Sequence, residues 1–138
     1  MKPEQVLSIE QMKHLQELGL DTSDASMHWQ YLPTVDAIIN GTDEIEKKPC
    51  FFVSQPNMKH EYPTYTLQDI LDKLPKRIET EDYEFELYIY YHENGVSVFY
   101  DDGDITQLAF FSKTTLLESA YEMLCWCIEN GYVGKEGE

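Results

Sequence analysis

The sequence YEFELYIYYHENGVSVFYDDGDITQLAFFSKTTLLESAYEMLCWCIENGY, residues 83–132, contains three strand patterns, two turn signals and one helix pattern. Its first part alternates apolar and polar residues, which is the period of a strand with one buried face. Asn94-Gly95 and Asp102-Gly103 favour two-residue type I′ turns, because both central residues of such a turn need positive φ. The stretch therefore predicts a three-stranded antiparallel meander over residues 84–92, 96–101 and 104–111.

Two-residue turns would fix the register of this meander. The expected pairs are Tyr91 with Val98, Ile89 with Tyr100 and Phe99 with Thr106. One face is then the predicted core face and carries Phe85, Leu87, Ile89, Tyr91, Val96, Val98, Tyr100, Ile105, Ala109 and Phe111. The other face is unusually aromatic for a surface left to water, and it carries Tyr88, Tyr90, Phe99, Leu108 and Phe110.

Capping spacings and apolar periodicity predict three helices. Ser8-x-x-Gln11 precedes a helix over 9–18, and Thr66-x-x-Asp69 precedes a short helix that Pro75 ends. Thr115-x-x-Glu118 opens the last helix, and Gly131 is placed to stop it. The apolar stripe of this last helix is expected to pack on the core face, and it consists of Leu117, Ala120, Tyr121, Leu124 and Ile128.

Between the first two helices, prolines and Gly41 interrupt the chain every several residues, which indicates ordered loops and one or two short strands, one of them at 50–54. A short lead-in strand is also expected at 77–80. A length of 138 residues is that of one ordinary domain. We therefore expect a single α+β domain over residues 1–138, with an antiparallel sheet of three to five strands packed with two to three helices.

The chain carries 26 acidic and 10 basic residues, a formal charge of −16. Most of the excess lies in residues 61–138, which hold 17 acids and 5 bases. Direct binding of nucleic acid or of anionic membranes depends on lysine and arginine, so we expect neither here. No apolar run approaches the 18 residues of a membrane-spanning helix, so none is predicted. The charge predicts a protein partner, a basic one in particular, unless acidity serves only solubility.

Three cysteines, an odd number, and the absence of an apolar leader point to reducing cytoplasm. Cys125 and Cys127 are two residues apart on a predicted helix, hence about 200° apart around its axis, so they cannot share a metal ion. No phosphate loop, nucleophile motif or histidine pair is present. We therefore predict no catalytic residues, no metal site and no cofactor.

One alternative hypothesis is a small enzyme or metal-binding protein with a site near His92, Asp101 and Asp104. The run Asp101-Asp102-Gly103-Asp104 is the best cation candidate, because hard ions prefer clustered carboxylates. It lacks the glycine at position 6 and the glutamate at position 12 of a calcium loop. A further alternative is an acidic mimic of nucleic acid that inhibits a DNA-binding protein.

The leading hypothesis is a non-catalytic protein-interaction module whose surface is the aromatic second face, contacting a protein partner or a second copy of the chain. The competing interpretation is that helix 9–18 or the proline-rich segment covers this face inside the monomer. A flat apolar patch would favour the module, whereas a deep pocket with convergent titratable groups would favour an enzyme.

Three segments carry a resemblance: SIEQMKHLQELGLDTSDASMHW at 8–29, YTLQDILDKLP at 65–75 and LLESAYEMLCWCIENGYV at 116–133. Together they resemble a family of small acidic proteins from Bacteroidetes genomes and their phages or mobile elements. The resemblance covers the two ends and the centre of the chain, but not residues 30–60. It implies an accessory protein of a mobile element and supplies no catalytic residues.

Overall fold

A computed structural model of the chain describes residues 5–33, 39, 41, 45–51 and 61–134, without the side chains of 30–33, 45–51 and 61. The described helices are α1 (Ile9–Glu17), α2 (Leu67–Lys73) and α3 (Leu116–Glu129). The described strands are β1 (Met27–Pro33), β2 (Ile45–Phe51), β3 (Glu61–Thr64), β4 (Arg77–Glu79), β5 (Glu84–His92), β6 (Gly95–Asp101) and β7 (Gln107–Lys113). They form an α+β fold, as predicted.

All strand pairs are antiparallel within two sheets, a large one in the order β4-β5-β6-β7 and a small one in the order β2-β1-β3. The large sheet contains the predicted meander and the predicted lead-in strand. Helix α3 packs on β6 and β7, and α2 packs on α3. The main core is therefore layered, and Met12 of α1, Tyr100 of β6 and Leu124 of α3 all belong to it.

The small sheet lies in the proline-interrupted part of the chain, where only one or two short strands were predicted. The backbone carbonyl of Leu7 ties the chain start to this sheet. It accepts hydrogen bonds from the Trp29 indole N–H at 2.8 Å and from the Thr64 hydroxyl at 2.6 Å. Of the strand predicted at 50–54, the first two residues belong to β2, and 52–54 lie outside the described residues.

The predicted register of the first hairpin was wrong by two residues. Tyr91 pairs with Val96 rather than Val98, and His92 pairs with Gly95, so the turn is formed by Glu93 and Asn94. No described residue other than glycine has positive φ, which excludes a type I′ turn at Asn94-Gly95. Because the shift is an even number of residues, each side chain stays on its predicted face.

The second turn is longer than predicted. The Asp102 N–H donates to the Thr106 carbonyl at 3.1 Å, and β7 begins only at Gln107. Phe99 consequently pairs with Phe110, not with Thr106, and the register shifts at a bulge beside Tyr100 and Asp101. The physical reason is local: the Asp101 and Asp102 side chains accept hydrogen bonds from backbone amides of the loop, which stabilises a wider turn.

Three residues of the predicted core face are exposed. Ile89 and Tyr91 share that face with Val98 and Val96 but are 39% and 67% exposed. Because α3 crosses β6 and β7, the far half of β5 extends beyond the helix that was expected to cover it. Ile105 lies in the widened loop and is 88% exposed.

Candidate functional site

The second face of the large sheet presents a row of aromatic rings across three strands. Tyr88 on β5, Phe99 on β6 and Phe110 on β7 are directly opposite one another in the register. The Tyr88 and Phe99 rings are stacked with centroids 5.5 Å apart, and the Phe99 and Phe110 rings are tilted at 5.6 Å. Each ring thus packs against its neighbour, and the three rings form one continuous row across the sheet.

This row is open to solvent together with the next aromatic residue of β5. Tyr88 is 40% exposed, Phe110 is 49% exposed and Tyr90 is 62% exposed, while Phe99 between them is partly buried. We call these four residues the aromatic face. The competing interpretation was that another element of the monomer covers this surface. The exposure of Tyr88, Tyr90 and Phe110 contradicts it for these three residues.

Leu108, the fifth residue predicted for this surface, is not part of it. The bulge opposite Tyr100 and Asp101 interrupts the alternation of β7 just where Leu108 lies. Its side chain is partly buried and packs against the main core. Alternation along the sequence cannot reveal such a bulge, because the extra residue depends on the width of the turn that precedes it.

A polar cluster borders the aromatic face on one side. His92 Nε2 lies 3.1 Å from Ser97 Oγ and 3.0 Å from Ser112 Oγ, and the two hydroxyls are 3.1 Å apart. Tyr90 stacks on the His92 ring at 6.3 Å. This cluster was missed from the sequence, because the two serines come together only through the register of β6 and β7.

The serine–histidine distances fit a nucleophile and its base, but the remaining parts of such a site are missing among the described residues. No described carboxylate bonds the His92 ring, and the cluster lies on a sheet surface. His92 pairs with Gly95 at one end of β6, while Asp101 ends the strand, about 20 Å away at the usual rise per residue. The structure thus does not bring His92 together with Asp101 and Asp104.

The acidic run of the second turn has a structural explanation. Asp101 Oδ1 accepts from the Gly103 N–H at 2.7 Å, and Asp102 Oδ1 accepts from the amides of Asp104 and Thr106 at 2.9 and 3.1 Å. These backbone hydrogen bonds hold the pKa of the Asp102 carboxyl below its usual value. Among the described residues, no group of three His, Cys, Asp or Glu side chains is arranged to hold a metal ion.

A cleft of about 460 Å³ lies between the starts of α1 and α3, beside Trp29 and Leu117. Its polar side chains already cap helices. Ser8 and Gln11 bond each other's backbone amides at 3.1 and 2.9 Å, and Thr115 accepts from the Glu118 amide at 3.2 Å. Glu118 is the one titratable group among the residues described around this cleft, so they lack the converging groups that acid–base chemistry requires.

The two cysteines of α3 are packing residues. Cys127 is fully buried, with its Sγ 3.9 Å from the Tyr100 hydroxyl, and Cys125 is also buried, beside Tyr121. Burial raises the pKa of the Cys125 thiol to about 11 and that of Cys127 to about 12. Neither thiol has the lowered pKa that a nucleophile or a thiolate ligand needs.

Comparison of this chain with protein-family models, curated proteins and solved structures finds no match. Within the part of the chain that the structure describes, no helix has the length and apolar character needed to cross a membrane.

Proposed function

We propose that this protein is a non-catalytic interaction module that binds a basic protein partner through the aromatic face. The observation that carries the proposal is the exposure of Tyr88, Tyr90 and Phe110 in one preformed row with Phe99. An exposed aromatic centre bordered by polar residues has the composition of a protein–protein interface. Aromatic side chains also contribute most of the binding energy in such interfaces.

The charge of the chain supports a basic partner. Residues 61–138 hold 17 acids against 5 bases, and Glu86 and Asp101 form the row next to Tyr88, Phe99 and Phe110. Acidic residues around an apolar centre attract a basic surface and speed its association. An acidic mimic of nucleic acid would also bind a basic protein. The aromatic row favours the interaction module, because it gives this surface an apolar centre that a phosphate backbone lacks.

An enzyme with His92, Asp101 and Asp104 in one site is less well supported, since these residues lie at opposite ends of β6. For the biological setting, the sequence resemblance described above leads us to propose an accessory role for a phage or another mobile element in the cytoplasm of its host.

The test is affinity capture from a lysate of the source organism on the immobilised full chain. A Tyr88→Ala/Phe110→Ala double variant removes two exposed rings of the aromatic face. We expect this variant to lose a partner that the unchanged chain retains, and we expect high salt to slow capture of that partner. Ile105→Ala is the matched control, because it removes an even more exposed apolar side chain from outside the face.

Thermal unfolding of the three proteins should first show that they are equally folded, since the substituted side chains are at least 40% exposed. A partner retained equally by the double variant would contradict the proposal. A predominantly acidic partner that is retained more strongly as salt increases would also contradict the proposal.

A further inference from the structure

Among the described residues, the outer half of β5 has a backbone edge with no paired strand. On that side β4 pairs only with residues 84–86, and the Leu87 N–H makes one more bond, to the Lys76 carbonyl at 3.0 Å. Backbone groups alternate between the two sides of a strand, so the N–H and C=O of Ile89 and Tyr91 point the same way as those of Leu87. In the described part of the chain, no strand pairs with β5 there beyond Leu87.

The sequence of this edge lacks the charged residues and prolines that usually protect an edge strand against strand addition. Residues 87–92 read LYIYYH and contain no lysine, arginine, acid or proline, although 26% of the chain is charged. Native proteins generally protect long edge strands with charges, prolines or bulges. Here the side chains beside the free backbone are apolar on both faces: Tyr88 and Tyr90 on the aromatic face, Ile89 and Tyr91 on the other.

Such an edge fits an added β-strand, whose main chain would bond the free groups while its side chains lie beside these four residues. A second copy of this chain is the less suitable occupant. Two copies of β5 paired antiparallel about Tyr90 would place Glu93 of one copy opposite Leu87 of the other, next to its Glu86. Each copy also carries a charge of −16, so the pairing would bring acids together at both ends.

We propose that the partner of this module contributes an extended segment with basic residues at its ends, which pairs antiparallel with β5 at Ile89 and Tyr91 and continues the large sheet. The inference rests on the proposed function and specifies how the partner binds. Basic ends would meet Glu93 at one end of the edge and Glu86 near the other. Both side chains are exposed, and the Glu86 carboxylate also lies 3.5 Å from the Arg77 guanidinium of β4.

The probe is the capped synthetic peptide KRTVTITVRK, titrated into the full isotope-labelled chain and followed by amide NMR shifts. We expect the largest shifts at residues 88–92, and binding about tenfold tighter than for the matched acidic peptide EETVTITVEE. A third peptide, KRTVPIPVRK, keeps the charges but lacks two backbone donors and should bind far more weakly. Equal binding of all three peptides would overturn the inference.

Two variants of the chain test the edge itself. Ile89→Pro removes one edge-directed N–H without removing a bond to β6, and Ile89→Val is its control. Tyr91→Lys adds a charge that disfavours a basic strand, and Tyr91→Phe is its control. We expect Ile89→Pro and Tyr91→Lys to abolish the shifts and both controls to retain them. If Ile89→Pro is unfolded by its amide spectrum, the Tyr91 pair alone decides.

Further outcomes separate the inference from the proposed function. A partner captured through the aromatic face but unaffected by Tyr91→Lys would leave the module intact and contradict strand addition. Shifts at residues 88–92 that grow with protein concentration alone, with a dimer in sedimentation, would show a second copy on the edge and overturn the basic segment. No shifts with the basic peptide at millimolar concentration would overturn it as well.

Discussion

Single side chains hold the elements of this protein together at points that the sequence pattern does not reveal. Ser119 of α3 is buried, donates to the Val96 carbonyl at 2.6 Å and accepts from the Lys113 N–H at 2.9 Å. One hydroxyl thereby joins the helix to the start of β6 and the end of β7. On the sequence it is a polar residue within an apolar helix pattern, and only the folded contacts explain it.

The thiols of α3 give a prediction at the same scale. In a Cys50→Ser background, Cys125 and Cys127 are the only cysteines, and neither should react with Ellman's reagent in the folded protein at pH 8. Burial keeps both thiols protonated, with pKa values of about 11 and 12. Both should react fully in 6 M guanidinium chloride. Rapid reaction of either thiol in the native protein would contradict the packing role.

At the scale of elements, local chemistry determined the helix ends, and these predictions are confirmed. The side chains of Ser8, Thr66 and Thr115 each accept the expected amide, and Gly131 follows α3 with φ of 81°. Strand register was not predictable in the same way. It depends on contacts between residues far apart in sequence, such as the close approach of β7 to Gly95.

Gly95 provides the test of this register. A β-carbon added there would lie 2.2 Å from the Lys113 backbone oxygen, and φ at Gly95 is 155°. We expect Gly95→Ala to cost more than about 1 kcal/mol, because the backbone of β7 must move. Gly134→Ala is the control, since no atom lies within 4 Å of its added β-carbon. Equal urea midpoints for the two variants would contradict the observed pairing of β6 with β7.

The packing of α3 gives a second prediction for an element. Leu124 is fully buried in the main core, and Leu124→Ala should cost about 2 to 5 kcal/mol. Glu122, two residues away on the same helix, is only partly buried, and Glu122→Ala should stay within about 0.5 kcal/mol. Denaturant unfolding of both variants measures the difference. Similar losses would show that the helix is rotated from the observed orientation.

For the candidate site, the sequence predicted which side chains share a face but not which of them are exposed. Alternation placed Tyr88, Tyr90, Phe99 and Phe110 on one face, because side-chain direction along a strand is local. Their exposure and the free edge at Ile89 depend on how far β4 and α3 extend over the sheet. Tertiary packing determines how far these elements extend, and it cannot be predicted from the sequence of β5 alone.

The whole molecule carries a charge of −16, and its repulsion should lower the stability of the folded state. We expect the melting temperature to rise by a few degrees between low and high sodium chloride, because salt screens these charges. A Glu81→Lys/Asp82→Lys variant in the exposed turn before β5 should depend less on salt. A melting temperature that falls with added salt would contradict this view of the charge.

The carbonyl of Leu7, which bonds Trp29 and Thr64, also has a consequence for how the chain is made. Its second partner lies 57 residues further along the sequence. A helix of nine residues such as α1 is marginally stable by itself in water. During synthesis, the contacts of Leu7 with the small sheet can therefore be completed only after β3 has left the ribosome.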